Sequence, residues 1–161
     1  MEEYADEPLG MGTALVRTAF LVDAVYADAV RQFDLTVQQA QLLCVIISRP
    51  FGMFELAKTL GLAKSSISGL VDRCEKRGLV RRESDPGDGR AFRVALTDKG
   101  AQLAEEFHDE TTKRVADLPL GLSAEERKVL VGLLTRVVAD NQVPVVFTDS
   151  GCPSSKDCTE S

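Results

Sequence analysis

The sequence predicts a mainly α-helical fold with one small β-hairpin, and three observations predict it. Two short helical segments, residues 54–60 and 64–77, stand on either side of a glycine turn. Two strand-like segments follow, joined by a turn rich in aspartate, proline and glycine. Residues 58–93 hold nine basic and five acidic side chains in a chain of net charge −6, which leaves −10 for the rest. This combination predicts a winged helix-turn-helix with a localised DNA-binding face, flanked by N- and C-terminal dimerisation helices.

Two helices are predicted ahead of the helix pair. Apolar residues recur at helical spacing over residues 13–33, after a flexible N-terminus at residues 1–12. Thr36 and Gln39 have the spacing of a capping box, in which each residue bonds the backbone amide of the other, so a second helix begins there. Pro50 ends that helix, because proline has no amide hydrogen to continue it.

The helix pair has a polar face opposite a core-facing stripe. Gly61 and Gly78 end its two helices, since glycine adopts the left-handed conformation at little cost. The apolar stripe of the second helix consists of Ile67, Leu70, Val71 and Cys74. The other face suits a major groove, where small residues allow close approach and basic ones reach guanines or phosphates. Its predicted DNA contacts are Lys64, Ser65, Ser66, Ser68, Gly69, Arg73 and Lys76. For this segment alone, an ordinary amphipathic helix with a solvated face is the alternative.

The predicted hairpin covers residues 79–96, with its turn at residues 85–89. Arg90, beside this turn, is predicted to enter a narrow minor groove, where the negative potential is strongest. Asp88 is predicted to orient Arg90 through an ion pair, and Arg93 is a weaker candidate for a phosphate contact. A plain solvent-exposed hairpin is the alternative.

Two further helices are predicted after the hairpin. Thr97 caps a long helix that stops before Pro119, and Ser123 with Glu126 forms a second capping box. The first and the last two helices are predicted to lie outside the compact DNA-reading core, and their apolar stripes exceed what a small winged helix needs for one face. A two-fold dimer would bury them and read a pseudo-palindrome with half-sites about 10 base pairs apart. The alternative is that they complete the core of a monomer.

These elements predict one domain over residues 13–140. Within it, the winged helix-turn-helix covers about 36–97 and the dimerisation helices about 13–33 and 98–140. Residues 141–161 are predicted to be disordered, because they are rich in Ser, Pro and Gly. A short extended segment at residues 143–147 is a candidate for docking on the body.

The helix pair and hairpin resemble the multiple-antibiotic-resistance regulator (MarR) family of bacterial transcription factors. The detailed resemblance covers about 50 residues. Its most specific part is the signature of the wing, as the hairpin is called in this family: an Asp and an Arg separated by one residue and followed by Leu-Thr-x-x-Gly. The matching motifs are Glu55-Leu56-Ala57, Leu60-Gly61-Leu62, Ser65-Ser66-Ile67-Ser68, Leu70-Val71-Asp72-Arg73, residues 75–80, Asp85-Pro86, Asp88-Gly89-Arg90 and Leu96-Thr97-Asp98-Lys99-Gly100. Three positions depart from the family pattern: Ala63 replaces a capping serine, Gly69 a larger and often basic residue, and Cys74 a leucine.

The resemblance implies a homodimer that binds double-stranded DNA, more often as a repressor than as an activator. It also implies a small aromatic or anionic effector. The effector would bind between the dimerisation helices and the DNA-reading lobe, which is the winged helix-turn-helix at about residues 36–97. The second helix of the pair is the recognition helix, which enters the major groove. Effector binding would change the distance between the two recognition helices of the dimer, and that distance must match the spacing of the grooves.

The cysteines and the single histidine offer other functions. Cys44 and Cys74 are predicted to be buried, yet oxidation of either would distort the DNA-reading lobe, so a redox-sensing regulator is an alternative. Cys152 and Cys158 lack metal-ligand spacing, and His108, the only histidine, is far from any cysteine in sequence, so no zinc site and no metal are predicted. His108 itself is predicted to be solvated. A winged helix that binds another protein is a second alternative, although it would not need the basic window.

Composition excludes several other classes. The net charge of −6 argues against nonspecific coating of DNA, and no apolar run approaches the roughly 18 residues of a membrane span. The first ten residues are acidic, unlike a signal peptide, so we expect a cytoplasmic location. There is no glycine-rich phosphate loop and no nucleophile elbow. We therefore predict neither an enzyme nor a cofactor.

Overall fold

The computed structural model describes residues 8–143. It contains six helices and a three-stranded sheet within these residues. In chain order the elements are α1 (Met11–Gln32), α2 (Val37–Ile46), β1 (Phe51–Gly52), α3 (Met53–Leu60), α4 (Lys64–Lys76), β2 (Val80–Asp85), β3 (Asp88–Leu96), α5 (Asp98–Asp117) and α6 (Ala124–Asp140). The mainly α-helical winged helix-turn-helix is therefore confirmed. The segment at residues 144–147 and the end of the chain lie outside the described residues.

The helix ends follow the predicted local chemistry. Thr36 Oγ1 accepts a hydrogen bond from the Gln39 amide at 3.2 Å, and Gln39 Oε1 accepts one from the Thr36 amide at 3.0 Å. Ser123 and Glu126 form the same reciprocal pair at the start of α6. Gly61 has a φ of 64°, which closes α3 and turns the chain into α4. Both capping boxes and the glycine turn are confirmed.

The core is centred on α2, which is buried along most of its length. Helices α1, α3, α4 and α5 and strand β3 all pack against α2. The largest fully buried side chains of this core include Phe107, Leu42, Leu43, Leu56, Ile67 and Leu70. The C-terminal half of α1 and α5 as far as Thr111 therefore share one core with α2, α3 and α4. This differs from the prediction that they lie outside it.

The sheet contains a strand that was not predicted. The two-residue strand β1 pairs with β3, with Phe51 opposite Val94, which gives the strand order β1-β3-β2. The predicted turn at residues 85–89 is also too long. The β2–β3 ladder continues to Asp85 opposite Asp88, with an irregularity at residues 84–85, so only Pro86 and Gly87 lie between the strands. The wing is accordingly a longer two-stranded arm than the sequence indicated.

A close backbone approach joins α5 to the end of α4. A side chain at Gly100 would place its Cβ 1.8 Å from the carbonyl oxygen of Leu79, so only glycine fits there. Thr97 donates from Oγ1 to the Gly78 carbonyl at 2.6 Å and accepts at the same oxygen from the Gly100 amide at 3.0 Å. The predicted cap at Thr97 is confirmed, and it also fixes where α5 leaves the wing.

His108 is buried, which corrects the prediction that it is solvated. Only 7% of its surface is exposed, and its Nδ1 lies 3.6 Å from Asp109 Oδ1. The reason is that α5 packs against both α1 and α2, so a wider arc of this helix faces the core than one apolar stripe indicates.

Much of α1 and most of α6 remain exposed within the described residues. Helix α6 has no buried residue, although it carries several valines and leucines that are 43–64% exposed. The N-terminal half of α1 is similar, with Met11, Leu15 and Phe20 exposed. No helix within residues 8–143 has both the length and the apolar character that crossing a bilayer requires.

Candidate nucleic-acid interface

The second helix of the pair, α4, divides into a buried and an exposed face as predicted. Ile67, Leu70, Val71 and Cys74 are fully buried. On the other face, Ser65 and Ser66 are exposed, and Ser68 is half-buried and donates from Oγ to the Lys64 carbonyl at 3.1 Å. Ala63 provides no side-chain cap, as its residue type dictates, so the first amides of α4 are open. The exposed face begins with small hydroxyl side chains and unpaired backbone donors.

Gly69 leaves a space that Arg73 occupies. A Cβ at Gly69 would lie 3.3 Å from Nη1 of Arg73, so the guanidinium lies over the glycine one turn earlier. The sequence indicated only that Gly69 lacks a side chain that could read bases. The structure shows that the missing side chain also makes room for Arg73.

Four of the nine basic residues in the 58–93 window are held by acidic partners. Arg77 pairs with Asp34 at 3.3 Å, Arg81 with Glu83 at 3.4 Å and Arg93 with Asp85 at 3.3 Å. Arg82 pairs with both Asp72, at 2.5 Å, and Glu75. The charge of these four arginines is therefore largely balanced within the chain. Because Arg93 already pairs with Asp85, it is a poorer phosphate ligand than the sequence indicated.

The other five basic residues have no acidic partner among residues 8–143. They are Lys58, Lys64, Arg73, Lys76 and Arg90, and all five are exposed. Three of them lie on α4 and one on β3 of the wing. Uncompensated positive charge therefore lies on the two elements that a winged helix presents to DNA.

Asp88 does not orient Arg90 in the predicted way. Its Oδ1 accepts a hydrogen bond from the backbone amide of Arg90 at 3.0 Å, and the Arg90 guanidinium has no ion-pair partner among the described residues. Asp85 similarly accepts from the Gly87 amide at 2.8 Å. These two carboxylates order the backbone of the wing tip and leave the Arg90 side chain available.

Arg82 is an organising residue that the sequence did not single out. Its guanidinium donates to Asp72 and to Glu75 on α4, and the bond to Asp72 raises the pKa of Arg82. Neighbouring strand residues point to opposite faces, so only one of Arg81 and Arg82 can face α4. That alternation was a usable signal, but it does not say which of the two arginines faces the helix.

The C-terminal end of α4 is tied to three other elements. Arg77 donates to Gln39 Oε1 at 3.0 Å, which links α4 to α2, and it pairs with Asp34 beyond the end of α1. Lys99, at the start of α5, donates to the Arg77 carbonyl at 3.0 Å. Helix α4 is thus fixed at its C-terminal end to α2, to α5 and to the residues that follow α1.

Neither described cysteine has the character of a reactive thiol. Burial raises the pKa of Cys44 to about 12 and also raises the pKa of Cys74, against the opposing charges of Arg77 and Arg73. Since the thiolate is the nucleophile, a raised pKa keeps both groups in the unreactive form. Cys152 and Cys158 lie outside the described residues.

Two cavities adjoin the helices of the body. The smaller, about 200 Å³, lies between α1, α2 and α5 and is lined by Val22, Asp23, Tyr26, Val30, Val37, Ala40, Gln41, Cys44 and Phe107. The larger, about 510 Å³, is a mainly apolar cleft between the exposed parts of α1 and α6. Within residues 8–143 no three side chains are grouped as metal ligands would be.

Comparison with known proteins agrees with this geometry. A model of the MarR family matches residues 33–91, from the end of α1 to the wing. The winged helix-turn-helix of this chain is therefore similar to that of the MarR family. A relative, the uncharacterised helix-turn-helix-type transcriptional regulator YwaE of Bacillus subtilis (strain 168), is 36% identical over 87 residues. That match covers 54% of this chain and 50% of YwaE, so it spans about half the length of the curated relative.

Solved MarR structures share the fold over most of the chain. Wild-type MarR from E. coli superposes with a TM-score of 0.70 at 26% identity, covering 82% of this chain and 99% of MarR. CouR from Rhodococcus jostii RHA1, bound to p-coumaroyl-CoA, superposes with a TM-score of 0.71 at 26% identity, covering 83% of this chain and 92% of CouR. The MarR-type architecture therefore extends beyond the helix-turn-helix to the flanking helices.

Proposed function

We propose that this MarR-family chain is a homodimeric repressor of transcription that binds a pseudo-palindromic operator in double-stranded DNA. The observation that carries the proposal is the distribution of charge. Four exposed basic residues of α4 and the wing, Lys64, Arg73, Lys76 and Arg90, have no acidic partner among the described residues, whereas the arginines behind them do. Such a repressor acts where bacterial DNA lies, in the cytoplasm.

In this proposal α4 enters the major groove. Ser65, Ser66 and Ser68 are small enough to let the helix approach base edges, and their hydroxyls can both donate and accept hydrogen bonds. Arg73, lying over Gly69, reaches a guanine or a phosphate, while Lys64 and Lys76 bind phosphates at either end of the helix.

The wing provides a second contact in the adjacent minor groove. Arg90 is exposed and follows a short turn whose backbone is ordered by Asp85 and Asp88. An arginine presented in this way suits the negative potential of a narrow minor groove. Arg93 contributes less, because Asp85 already holds it.

The exposed apolar surfaces of α1 and α6 support the homodimer. A monomer rarely leaves so many valines and leucines exposed on one helix, and a second copy of the chain carries the same surface. A two-fold axis between two copies would present two α4 helices to successive major grooves, which requires half-sites about 10 base pairs apart.

The 200 Å³ cavity between α1, α2 and α5 is the best candidate for an effector site. It touches helices on both sides of the boundary between the flanking helices and the DNA-reading lobe. Its lining includes the rings of Tyr26 and Phe107 and the carboxylate of Asp23, but no basic side chain. These features favour a small neutral aromatic molecule over the anionic effector that the family resemblance also allowed.

The two alternative functions receive less support. Redox sensing through Cys44 or Cys74 requires a reactive thiol, and burial raises the pKa of both. A protein-interaction module would need a contact surface on the lobe but not four unpaired basic residues on α4 and the wing.

The test is selection of bound duplexes from a random DNA pool, followed by titration of the enriched duplex against salt. We expect an inverted repeat, and we expect Arg90→Ala to lower affinity and reduce the slope of log affinity against log salt by about 2, because each dimer loses two arginines. Arg81→Ala is the matched control, because Arg81 is already paired with Glu83. Selection of no sequence, or Arg90→Ala binding as tightly as the native chain, would contradict the proposal.

A further inference from the structure

The wing and the recognition helix are joined by one side chain. Arg82 lies on β2 opposite the buried Val94, so its side chain faces the body of the lobe. Its guanidinium spans Asp72 and Glu75, which are three residues apart and therefore adjacent on the surface of α4. Of the ion pairs among residues 8–143, only these two connect α4 with the hairpin.

The same contact changes the charge of the DNA-reading face. Asp72 and Glu75 alternate along α4 with Arg73 and Lys76, so two carboxylates lie among the residues that would meet phosphates. Carboxylates beside phosphates repel them. Arg82 opposes both carboxylates at once, because its planar guanidinium donates to Glu75 from one terminal nitrogen and to Asp72 from the other.

We propose that Arg82 is a positioning residue for DNA recognition, which fixes the wing relative to α4 so that Arg73 and Arg90 reach adjacent grooves of one duplex. This inference rests on the proposed DNA-binding function. Arg82 acts through Arg90 and does not itself need to touch DNA, since its two terminal nitrogens, Nη1 and Nη2, already donate to Glu75 and Asp72.

A double-mutant cycle between Arg82 and Arg90 tests the inference on the duplex selected from the random pool. We expect Arg82→Ala to lower affinity about tenfold and to reduce the salt slope as Arg90→Ala does, because a displaced Arg90 no longer meets the DNA. Arg90→Ala should also cost about tenfold in the native chain, but less than about threefold when Arg82 is already alanine. Such coupling shows that Arg90 depends on Arg82 for its position, which a general loss of stability would not produce.

Two results would overturn the inference. One is additivity of the two substitutions, because Arg82 would then contribute to binding independently of Arg90, as a separate phosphate contact. The other is native affinity in Arg82→Ala. The matched control is Arg81→Ala, one residue earlier on the same strand, whose partners Glu83 and the Leu96 carbonyl lie within the sheet. It should be additive with Arg90→Ala within about twofold.

A second variant removes the two negative charges that Arg82 binds on α4 and retains the arginine. Asp72→Asn with Glu75→Gln keeps the size of both side chains but removes their charge. We expect Arg90→Ala to lose most of its effect in this background as well. If this variant instead binds more tightly than the native chain, with the full effect of Arg90→Ala retained, the carboxylates only repel DNA and the positioning role is refuted.

A measurement without DNA separates this inference from the proposed function. If Arg82 holds the wing, amide hydrogen exchange at residues 85–92 should be faster in Arg82→Ala than in the native chain, and unchanged in Arg81→Ala. Equal exchange in Arg82→Ala would overturn the inference even if the native chain binds its duplex. If exchange is faster in Arg82→Ala but the native chain selects no duplex, the proposed function fails, while the role of Arg82 in holding the wing against α4 is retained.

Discussion

Gly69 and Arg73 share one space on the exposed face of α4, which gives a substitution with opposite effects on stability and on DNA affinity. The Cβ of an alanine at position 69 would lie 3.3 Å from Nη1 of Arg73, the flexible end of a long side chain that can move away. Gly69→Ala should therefore stabilise the chain by up to about 1 kcal/mol through helix propensity, as urea unfolding would show. It should also weaken DNA binding, because Arg73 is displaced.

The Arg73→Ala background distinguishes displacement of Arg73 from a direct clash of the new methyl group with DNA. If Gly69→Ala acts through Arg73, it should have no further effect on affinity once Arg73 is alanine. An equal loss of affinity in both backgrounds would mean that the methyl group itself meets DNA. Native affinity in Gly69→Ala would remove the proposed link between the two residues.

The Cys44 thiol gives a stability term that depends on pH in a defined direction. Burial raises its pKa to about 12 in the folded chain, above the ordinary value of about 8.5 in the unfolded chain. The folded state therefore holds the thiol proton more tightly, and this stabilisation is complete below about pH 8.5 and is lost as pH rises toward 12. At pH 10 the loss is about 2 kcal/mol.

Comparison of the native chain with Cys44→Ala isolates this term together with a smaller one, because burial raises the pKa of Tyr26 in both proteins and Cys44 adds to that rise only in the native chain. The free energy of unfolding should fall more steeply between pH 8 and pH 10 in the native chain than in the variant. Parallel pH profiles would show that the thiol titrates normally, and redox sensing at Cys44 would then regain support.

Residue identities predicted the exposed face of α4 but not which arginines would be available. The partners of Arg82 are seven and ten residues away in the sequence, and the partner of Arg77 is 43 residues away. Tertiary packing brings these partners together, and the residues around each arginine carry no local sign of it. Asp88 shows the same limit, because its sequence neighbourhood predicted an ion pair and the structure has a backbone hydrogen bond.

Helix α4 begins without a side-chain cap, and this can be repaired. Ala63 has φ −64° and ψ 153°, the extended conformation that a capping serine adopts. Ala63→Ser should therefore stabilise the chain by about 0.5–1 kcal/mol in urea unfolding, because its hydroxyl would accept a hydrogen bond from an open amide of the first turn. Thr36→Ala provides the converse control, since it removes an existing capping box and should destabilise by a similar amount. No gain from Ala63→Ser would mean that water already satisfies these amides.

Elements whose bounds depend on local chemistry were predictable, and elements that depend on packing were not. Thr36, Gly61, Thr97 and Ser123 mark helix ends that the structure confirms, because caps and turns are built from neighbouring residues. Strand β1 has two residues and exists only because β3 offers it an edge. A pattern of period two cannot appear in so short a segment, so the sequence carried no sign of it.

At the scale of the whole molecule, charge and apolar surface are distributed in opposite directions. The basic window lies on α4 and the wing, while exposed valines and leucines lie on α6 and the N-terminal half of α1. The DNA-reading elements and the proposed dimer surface are thus different elements of one chain. The sequence predicted this division from the net charge of +4 in one window and the surplus of apolar stripes outside it.

The proposed dimer surface can be tested at Leu133 and Val137, which are four residues apart on α6 and line its cleft with α1. Leu133→Glu with Val137→Glu places two carboxylates on this apolar surface. Burying an unpaired charge costs several kcal/mol, so we expect the variant to sediment as a monomer while the native chain sediments as a dimer. Neither residue belongs to the core of one protomer, so the helical circular dichroism of the fold should remain.

DNA affinity then links the dimer to recognition. A monomer presents one α4 helix instead of two, so the Leu133→Glu, Val137→Glu variant should bind a full inverted repeat only about as well as it binds a single half-site. Lys128→Ala is the control, because Lys128 is exposed on α6 and carries no part of the apolar surface. If the double variant stays dimeric and keeps its preference for the inverted repeat, the dimer forms elsewhere and α6 needs another partner. If the native chain sediments as a monomer, its exposed helices do not serve self-association and the two-fold reading of DNA is wrong.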